Sequence, residues 1–162
     1  MNIKFGGDFH VAREREAVFN LLADPLKFAP LLPDFENVRL EDDSHFVVSL
    51  RVGVAHIRGT AVVKLALKES QPPRRAVYEG SGNVPGGTAA LTASFDLEDS
   101  EGGTKVIWSG ETRIVGRLPS LAGGLLEPLA RKNVQKLIDA LQAALARTPE
   151  SAGRAGGGEN AT

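Results

Sequence analysis

The sequence contains no cysteine and few large aromatic residues. Its 162 residues include one Met, one Trp, one Tyr and seven Phe, against 18 Gly. The absence of cysteine excludes disulfides, thiolate nucleophiles, iron–sulfur clusters and cysteine-based zinc sites. Glycine makes up about 11% of the chain against a usual ~7%, which predicts an interior in which many positions carry little or no side chain.

Neither charge nor hydropathy marks the chain for nucleic acid or for a membrane span. Lys and Arg number 19 against 20 Asp and Glu, for a net charge of −1, whereas nonspecific nucleic-acid binding usually needs a basic excess. No window approaches the ~20 apolar residues of a membrane helix, and the first residues do not resemble a signal peptide. We therefore expect a cytoplasmic protein with no transmembrane segment and no nucleic-acid partner.

Composition divides the chain into one domain and a tail. Residues 148–162 contain alanine as their only apolar residue type, too little apolar surface to offset the entropy of ordering. We expect residues 1–147 to form a single domain, because a second core would be cramped in a chain of 17.2 kDa. Residues 148–162 are expected to be a disordered Gly-rich tail.

Alternation of apolar and polar residues predicts seven strands, of which the first runs from Ile3 to Val11. The other six are expected near 35–41, 45–52, 55–68, 74–83, 88–98 and 104–115. Two short helices, over Glu14–Leu22 and about Leu26–Leu32, are expected after the first strand, each ended by a proline.

An apolar stripe from Leu125 to Leu145 predicts a long C-terminal helix. Gly123-Gly124 and Pro128 should break or kink any helix that begins as early as Pro119. Short connections between successive strands imply antiparallel neighbours, and the apolar face of such a sheet must be covered. The expected fold is α+β: a curved seven-stranded antiparallel sheet around the long C-terminal helix.

The inward face of the predicted sheet is rich in glycine and alanine, most of all toward the Pro85-Gly86-Gly87 turn. Two interpretations remain open. The small residues permit bulges, curvature and close approach of the helix, or they open an internal apolar pocket for a small ligand. The informative glycines are Gly7, Gly59, Gly80, Gly82 and Gly110.

On the second interpretation, the inward positions of four strands and the start of the helix line the pocket. The ligand-binding residues are then Ala61, Val63, Tyr78, Leu91, Ala93, Phe95, Trp108, Thr112, Leu125 and Leu129. Tyr78 and Thr112 would orient a carbonyl or hydroxyl group, since a few placed polar groups give such pockets their selectivity.

No pattern predicts a catalytic residue, a metal site or a cofactor. His10, His45 and His56 are expected at outward strand positions, with no zinc-ligand spacing. The glycines of Gly80–Pro85 resemble a dinucleotide fingerprint only in part and do not open a helix. The apolar, glycine-interrupted segment Leu118–Leu126 predicts a mobile gate, a docking patch or an ordinary packed loop.

Several short motifs occur in an order typical of a known family. They are Asp24-Pro25 with Leu32-Pro33, Val52-Gly53-Val54 leading into Gly59-Thr60-Ala61, Glu79-Gly80-Ser81-Gly82 before Gly86-Gly87, Thr104-Lys105-Val106, and Val115-Gly116-Arg117-Leu118. Over about residues 2–146 the chain resembles the CoxG family of carbon monoxide dehydrogenase proteins, which belongs to the SRPBCC, or START/Bet v1-like, superfamily.

The resemblance implies a helix-grip fold with a deep hydrophobic cavity. It also implies a non-catalytic role beside molybdenum-containing CO dehydrogenases, including their recruitment to the membrane, and a lipid or quinone-like ligand would suit both. Two departures are evident: Asp34 follows Pro33 where the family usually has glycine, and the tail lacks apolar anchors. Any membrane contact is therefore expected to be peripheral, at the inner face, and not through the tail.

Two other function classes stay open. Some relatives in the superfamily are polyketide cyclase- or dehydratase-like enzymes, a reaction that would need an inward-facing acid or base. The third class is an adaptor that docks a partner protein through residues 118–126.

Overall fold

A computed structural model describes residues 1–146 and contains one seven-stranded antiparallel sheet. The strands are β1 (Asn2–Val11), β2 (Phe35–Leu40), β3 (His45–Val54), β4 (Ile57–Gln71), β5 (Arg75–Val84), β6 (Gly87–Ser100) and β7 (Gly103–Gly116). Their spatial order is β1-β7-β6-β5-β4-β3-β2. The predicted sheet is confirmed, whereas the predicted tail, residues 148–162, lies outside the described residues.

The helices lie after β1 and after β7. They are α1 (Arg15–Leu22), α2 (Pro25–Phe28), a 3₁₀ turn (Ala29–Leu31), α3 (Leu118–Ala122), a second 3₁₀ turn (Gly123–Leu125) and α4 (Leu126–Ala146). Asp24 caps α2, since its carboxylate accepts a hydrogen bond from the Leu26 N–H at 3.0 Å. The first two helices and the long last one therefore form where the sequence predicts them.

The expected break before the long helix is present at one of its two predicted positions. Gly123 has a φ of 62°, a backbone conformation that side chains disfavour, and it separates α3 from α4. Pro128 does not interrupt α4, which is continuous over Leu126–Ala146. Pro128 is the third residue of α4 and lies in its first turn. Backbone N–H groups of the first turn make no intrahelical hydrogen bond, so the missing N–H of proline costs none.

The turn between β3 and β4 corrects one prediction. The sequence places this turn at Gly53, but β3 continues through Val54 and the turn consists of Ala55 and His56. Ala55 adopts a φ of 56°, so a non-glycine residue takes the left-handed conformation here. As a result, His56 lies in a turn and not at an outward strand position.

The core is divided into two clusters along α4. The larger contains Phe9, Phe46, Tyr78 and Phe95 and the C-terminal half of α4, including Leu141. The smaller contains Val54, Ile114, Leu118, Ala122 and Leu126, with Leu129 packed against it. The two ends of α4 are therefore anchored in separate apolar clusters.

Buried hydrogen bonds tie the helices to the sheet at the larger cluster. The Tyr78 hydroxyl on β5 donates to the Leu22 carbonyl at the end of α1 at 2.6 Å. Thr104, fully buried on β7, donates to the Arg13 carbonyl at 2.6 Å, and the Arg13 guanidinium donates to the Leu145 carbonyl near the end of α4 at 3.1 Å. These hydrogen bonds fix the end of α1 and the end of α4 relative to the sheet at the larger cluster.

Candidate functional site

An apolar cavity of about 280 Å³ lies between the inner face of the sheet and α4. On α4 it touches Ala130, Val134, Leu137 and Ile138, which follow Leu129 of the smaller cluster. Strands β3 to β7 supply most of the remaining wall, and Phe28 and Leu32 close the side next to α2. On α4 the cavity therefore lies beside the larger cluster, to which Ile138 belongs and against which Val134 and Leu137 pack.

The floor of the cavity is formed by small residues on two paired strands. Ala93 on β6 and Gly110 on β7 are register partners, and Gly110 is also opposite Phe5 on β1. Both residues border the cavity, together with their chain neighbours Thr92, Ser109 and Glu111. With a methyl group and a hydrogen as the only side chains there, backbone is left uncovered at the floor.

Aromatic side chains make up the wall at the larger cluster. The rings of Phe28 and Tyr78 are stacked with centroids 5.5 Å apart. Phe28 meets Phe95 edge-on at 5.9 Å, and Phe46 meets Tyr78 edge-on at the same distance. Such pairs stabilise one another beyond the apolar area that they bury, so this part of the wall is supported by aromatic packing.

The structure brings together most of the residues that the sequence predicts for the site. Lining the cavity are Val63, Tyr78, Leu91, Ala93, Phe95, Trp108 and Thr112. All of them are on inward strand positions, as the alternation of apolar and polar residues predicts.

Three predicted residues lie elsewhere. Ala61 is buried at 3% exposure on β4 but does not border the cavity. Leu129 packs against the smaller core cluster. Leu125 is 55% exposed and is the last residue of the 3₁₀ turn Gly123–Leu125.

Sequence reasoning missed part of the wall. The missed residues are Phe5, Phe28, Leu32, Phe46, Val48, Leu50, Leu65, Thr92, Ser109, Glu111, Ala130, Val134, Leu137 and Ile138. Two signals could have found several of them. The alternation of Phe46, Val48 and Leu50 gives β3 an inward apolar face, and the stripe on α4 continues beyond Leu129.

Four of the five informative glycines do not open the cavity. A side chain at Gly7 would meet the Trp108 ring at 2.9 Å, one at Gly59 would meet Pro85 at 2.9 Å, and one at Gly80 would meet Leu65 at 2.5 Å. At Gly82 the space is taken by the backbone of Val62 and Val63. These glycines allow close packing, and only Gly110 among the five borders the cavity.

The hydroxyl groups of Tyr78 and Thr112 in the wall are already engaged. The Tyr78 hydroxyl is committed to Leu22, and the Thr112 hydroxyl donates to the Ala90 carbonyl at 3.3 Å. Burial, and to a smaller degree the charge of Asp24, raises the pKa of Tyr78 well above its usual value. Tyr78 is therefore a neutral hydrogen-bond donor to the backbone at physiological pH, and it is not poised as a base.

The histidines lie at exposed positions away from the cavity. His10 contacts the Glu101 carbonyl at 3.1 Å, and His45 Nδ1 lies 2.8 Å from an Asp42 oxygen. Hydrogen bonds from Ser44 N–H and then His45 lower the pKa of Asp42. Among residues 1–146 no group of three or more His, Asp or Glu side chains is arranged to hold a metal ion.

The segment Leu118–Leu126 combines buried and exposed leucines. Leu118 and Leu126 are buried in the smaller cluster, whereas Leu121 and Leu125 are 44% and 55% exposed.

None of the helices within residues 1–146 has the length and apolar character needed to cross a membrane.

Solved structures with the same fold come from several organisms. A conserved protein from Geobacillus kaustophilus superposes with a TM-score of 0.78 at 16% identity, covering 91% of this chain and 96% of that one. The Zhui aromatase/cyclase from Streptomyces sp. R1128 gives 0.69 at 21% identity, covering 94% and 99%. Ara h 8.0201 gives 0.62 at 16%, covering 91% and 100%. At these identities the similarity establishes the fold.

Sequence comparison adds the family. No curated protein matches the sequence at a significant level. The family model that describes CoxG, the G subunit of carbon monoxide dehydrogenase, matches residues 7–146, which is most of the chain and includes nearly all of the residues that line the cavity. The chain is a member of the carbon monoxide dehydrogenase CoxG family.

Proposed function

We propose that the protein binds an apolar small molecule in the cavity between the sheet and α4, and that it does so without catalysing a reaction. The observation that carries the proposal is the cavity itself, which is apolar and lies against the larger core cluster. Protein interiors are close-packed, and empty apolar space lowers the free energy of unfolding. A bound apolar molecule would recover that loss.

The wall favours binding over chemistry. Acid–base catalysis needs a titratable group with its proton available to the substrate. The hydroxyl of Tyr78 is committed to Leu22 and its pKa is raised. Glu111 borders the cavity but also the groove on the outer face of the sheet, and strand alternation between the inward Gly110 and Thr112 directs its side chain outward.

The family supplies a context for the bound molecule. Membership of the CoxG family supports a proposed role as an accessory factor of a molybdenum CO dehydrogenase-type enzyme, including its recruitment to the inner membrane face. A lipid or quinone-like molecule fits this role and the apolar wall. No described residue of the wall is basic, which favours neutral ligands over fatty acids and phosphates.

Native mass spectrometry of the protein purified from its own cells tests the proposal. We expect a fraction of the ions to carry one apolar molecule that is released on activation, and we expect this adduct to be lost in Ala93→Leu, which fills the floor. Ala90→Leu, an identical change at an exposed position of the same strand, should retain it. Ions of the bare chain alone in the wild-type sample would contradict the proposal.

A second candidate function is docking of a partner protein through residues 118–126. It is favoured by the exposure of Leu121 and Leu125 beside a buried apolar cluster. Co-purification with a CO dehydrogenase-type enzyme that persists in Ala93→Leu and is lost in Leu125→Ser would support docking. Loss of co-purification in Ala93→Leu alone would tie the association to the cavity instead.

A further inference from the structure

The wall of the cavity contains one polar group that the protein does not use. Among residues 1–146, two buried side-chain polar atoms lack a hydrogen-bond partner, Arg15 Nε and Trp108 Nε1. Arg15 Nε lies 3.0 Å from an Asp99 carboxylate oxygen and so has a charged neighbour. Trp108 Nε1 has neither a hydrogen-bond partner nor a charged neighbour. Trp108 borders the cavity. Burying an N–H group without an acceptor is costly, and proteins rarely do so.

Thr92, Ser109 and Glu111 also border the cavity, but they are at outward strand positions next to the inward Ala93 and Gly110. Tyr78 and Thr112 donate to the carbonyls of Leu22 and Ala90, and the hydroxyl of Ser109 lies 2.7 Å from that of Ser94. Among the described residues that line the cavity, Trp108 therefore carries the buried side-chain donor that has no partner. Because no described wall residue is basic, the complementary group is a neutral acceptor and not a carboxylate or phosphate.

The setting of the indole explains why its N–H is both buried and available. Trp108 is the register partner of Gly7, and a Cβ at Gly7 would lie 2.9 Å from the indole Cζ2 and 3.3 Å from Nε1. The edge that carries Nε1 thus rests on bare backbone of an exposed strand residue. Gly7 has no side chain that interlocks with the ring, and Nε1 makes no hydrogen bond that a rotation of the indole toward the cavity would break.

We infer that Trp108 is a specificity-determining residue, whose indole N–H turns from its seat on Gly7 to donate a hydrogen bond to an oxygen of the bound molecule. The ligand class is a neutral apolar molecule with an acceptor oxygen, such as an aryl ketone. This inference rests on the proposed function, because it requires that the cavity binds a ligand.

A matched pair of probes tests the inference. 2-Acetylnaphthalene and 2-isopropenylnaphthalene have the same shape, and only the first carries an acceptor oxygen. We expect Trp108→Phe to lower the ketone-to-alkene affinity ratio about two- to tenfold, the range that one hydrogen bond contributes. Phe28→Leu, which alters the same wall without removing a donor, should leave the ratio unchanged. The same ratio in Trp108→Phe as in the wild type would overturn the inference.

Nuclear magnetic resonance of the wild type provides a readout that needs no variant. The chain has one Trp, so its ¹H–¹⁵N spectrum contains a single indole N–H signal. We expect the ketone to shift this signal further downfield than the alkene does, because hydrogen bonding deshields the proton. Equal shifts with the two probes would refute a role for the N–H while leaving cavity binding intact, whereas failure of both probes to bind would refute the proposed function itself.

Discussion

Ala93 and Gly110 are register partners on β6 and β7, and together they leave the floor of the cavity almost without side chains. Their strand neighbours at inward positions are large, including Phe95 and Trp108, which form the next cross-strand pair of the same face. The cavity therefore results from a local step from large to small residues on two adjacent strands. It does not result from the overall glycine content of the sheet.

Replacing alanine by leucine should have opposite effects on stability at Ala93 and at Ala61. At Ala93 the added carbons enter open space, so the free energy of unfolding should stay the same or rise by up to about 2 kcal/mol. At Ala61, which is 3% exposed and outside the cavity wall, the same change should cost about 1–3 kcal/mol by overpacking. Chemical denaturation of the ligand-free proteins measures both. Equal destabilisation by the two variants would show that the floor at Ala93 is already packed.

Removing the hydroxyl of Tyr78 should destabilise the protein at neutral pH. Tyr78→Phe leaves the buried Leu22 carbonyl without its donor, and we expect a loss of about 1–2 kcal/mol in the free energy of unfolding. The variant keeps the ring, so the contacts with Phe28 and Phe46 should persist. A loss below about 0.5 kcal/mol would mean that the hydrogen bond contributes little to holding α1 on the sheet.

Tyr78 should also make stability depend on pH in the alkaline range. Its pKa is raised in the folded state, so above the ordinary tyrosine value of about 10 the unfolded chain releases a proton that the folded chain retains. Stability should then fall as pH rises beyond that value in the wild type, and this tyrosine contribution should be absent in Tyr78→Phe. The chain has one Tyr, so phenolate absorbance reports it alone. Ionisation before unfolding would contradict the prediction.

Substitution of Gly7 should disturb the indole, whereas a similar change at Gly53 should not. A Cβ at Gly7 would come within 2.9 Å of the Trp108 ring, while nothing lies within 4 Å of a Cβ at Gly53. We expect Gly7→Ala to lower the free energy of unfolding by about 1–3 kcal/mol and to shift the fluorescence of Trp108. Gly53→Ala serves as the control and should alter neither property. An unchanged emission spectrum in Gly7→Ala would show that the indole does not rest on that strand.

Much of the fold follows from the sequence because alternation and charge are local signals. Outward charged residues assign the face of each strand, and the seven predicted residues that line the cavity all lie on strands. The three that do not line it depend on longer-range geometry. Leu125 and Leu129 belong to the helical stripe, but the break at Gly123 sets which part of that stripe faces the open space.

Composition alone could not predict whether each glycine leaves open space or allows close packing. Whether a missing side chain leaves room depends on what the neighbouring strand places there, and Leu65, Pro85 and Trp108 fill the space beside three of them. Likewise, the turn at Ala55 and His56 requires a positive φ at a residue that rarely adopts one. Its position is determined by pairing of β3 with β4 through Val54 and Ile57, which only the assembled sheet reveals.

The central claim is that the cavity over Ala93 and Gly110 binds an apolar molecule. Equilibrium titration of a neutral fluorescent apolar probe into the wild type, Ala93→Leu and Ala90→Leu tests it most directly. We expect saturable binding of one probe per chain in the wild type and in Ala90→Leu, and at least a tenfold loss of affinity in Ala93→Leu with the fold intact. Equal affinity of all three proteins for the probe would contradict it.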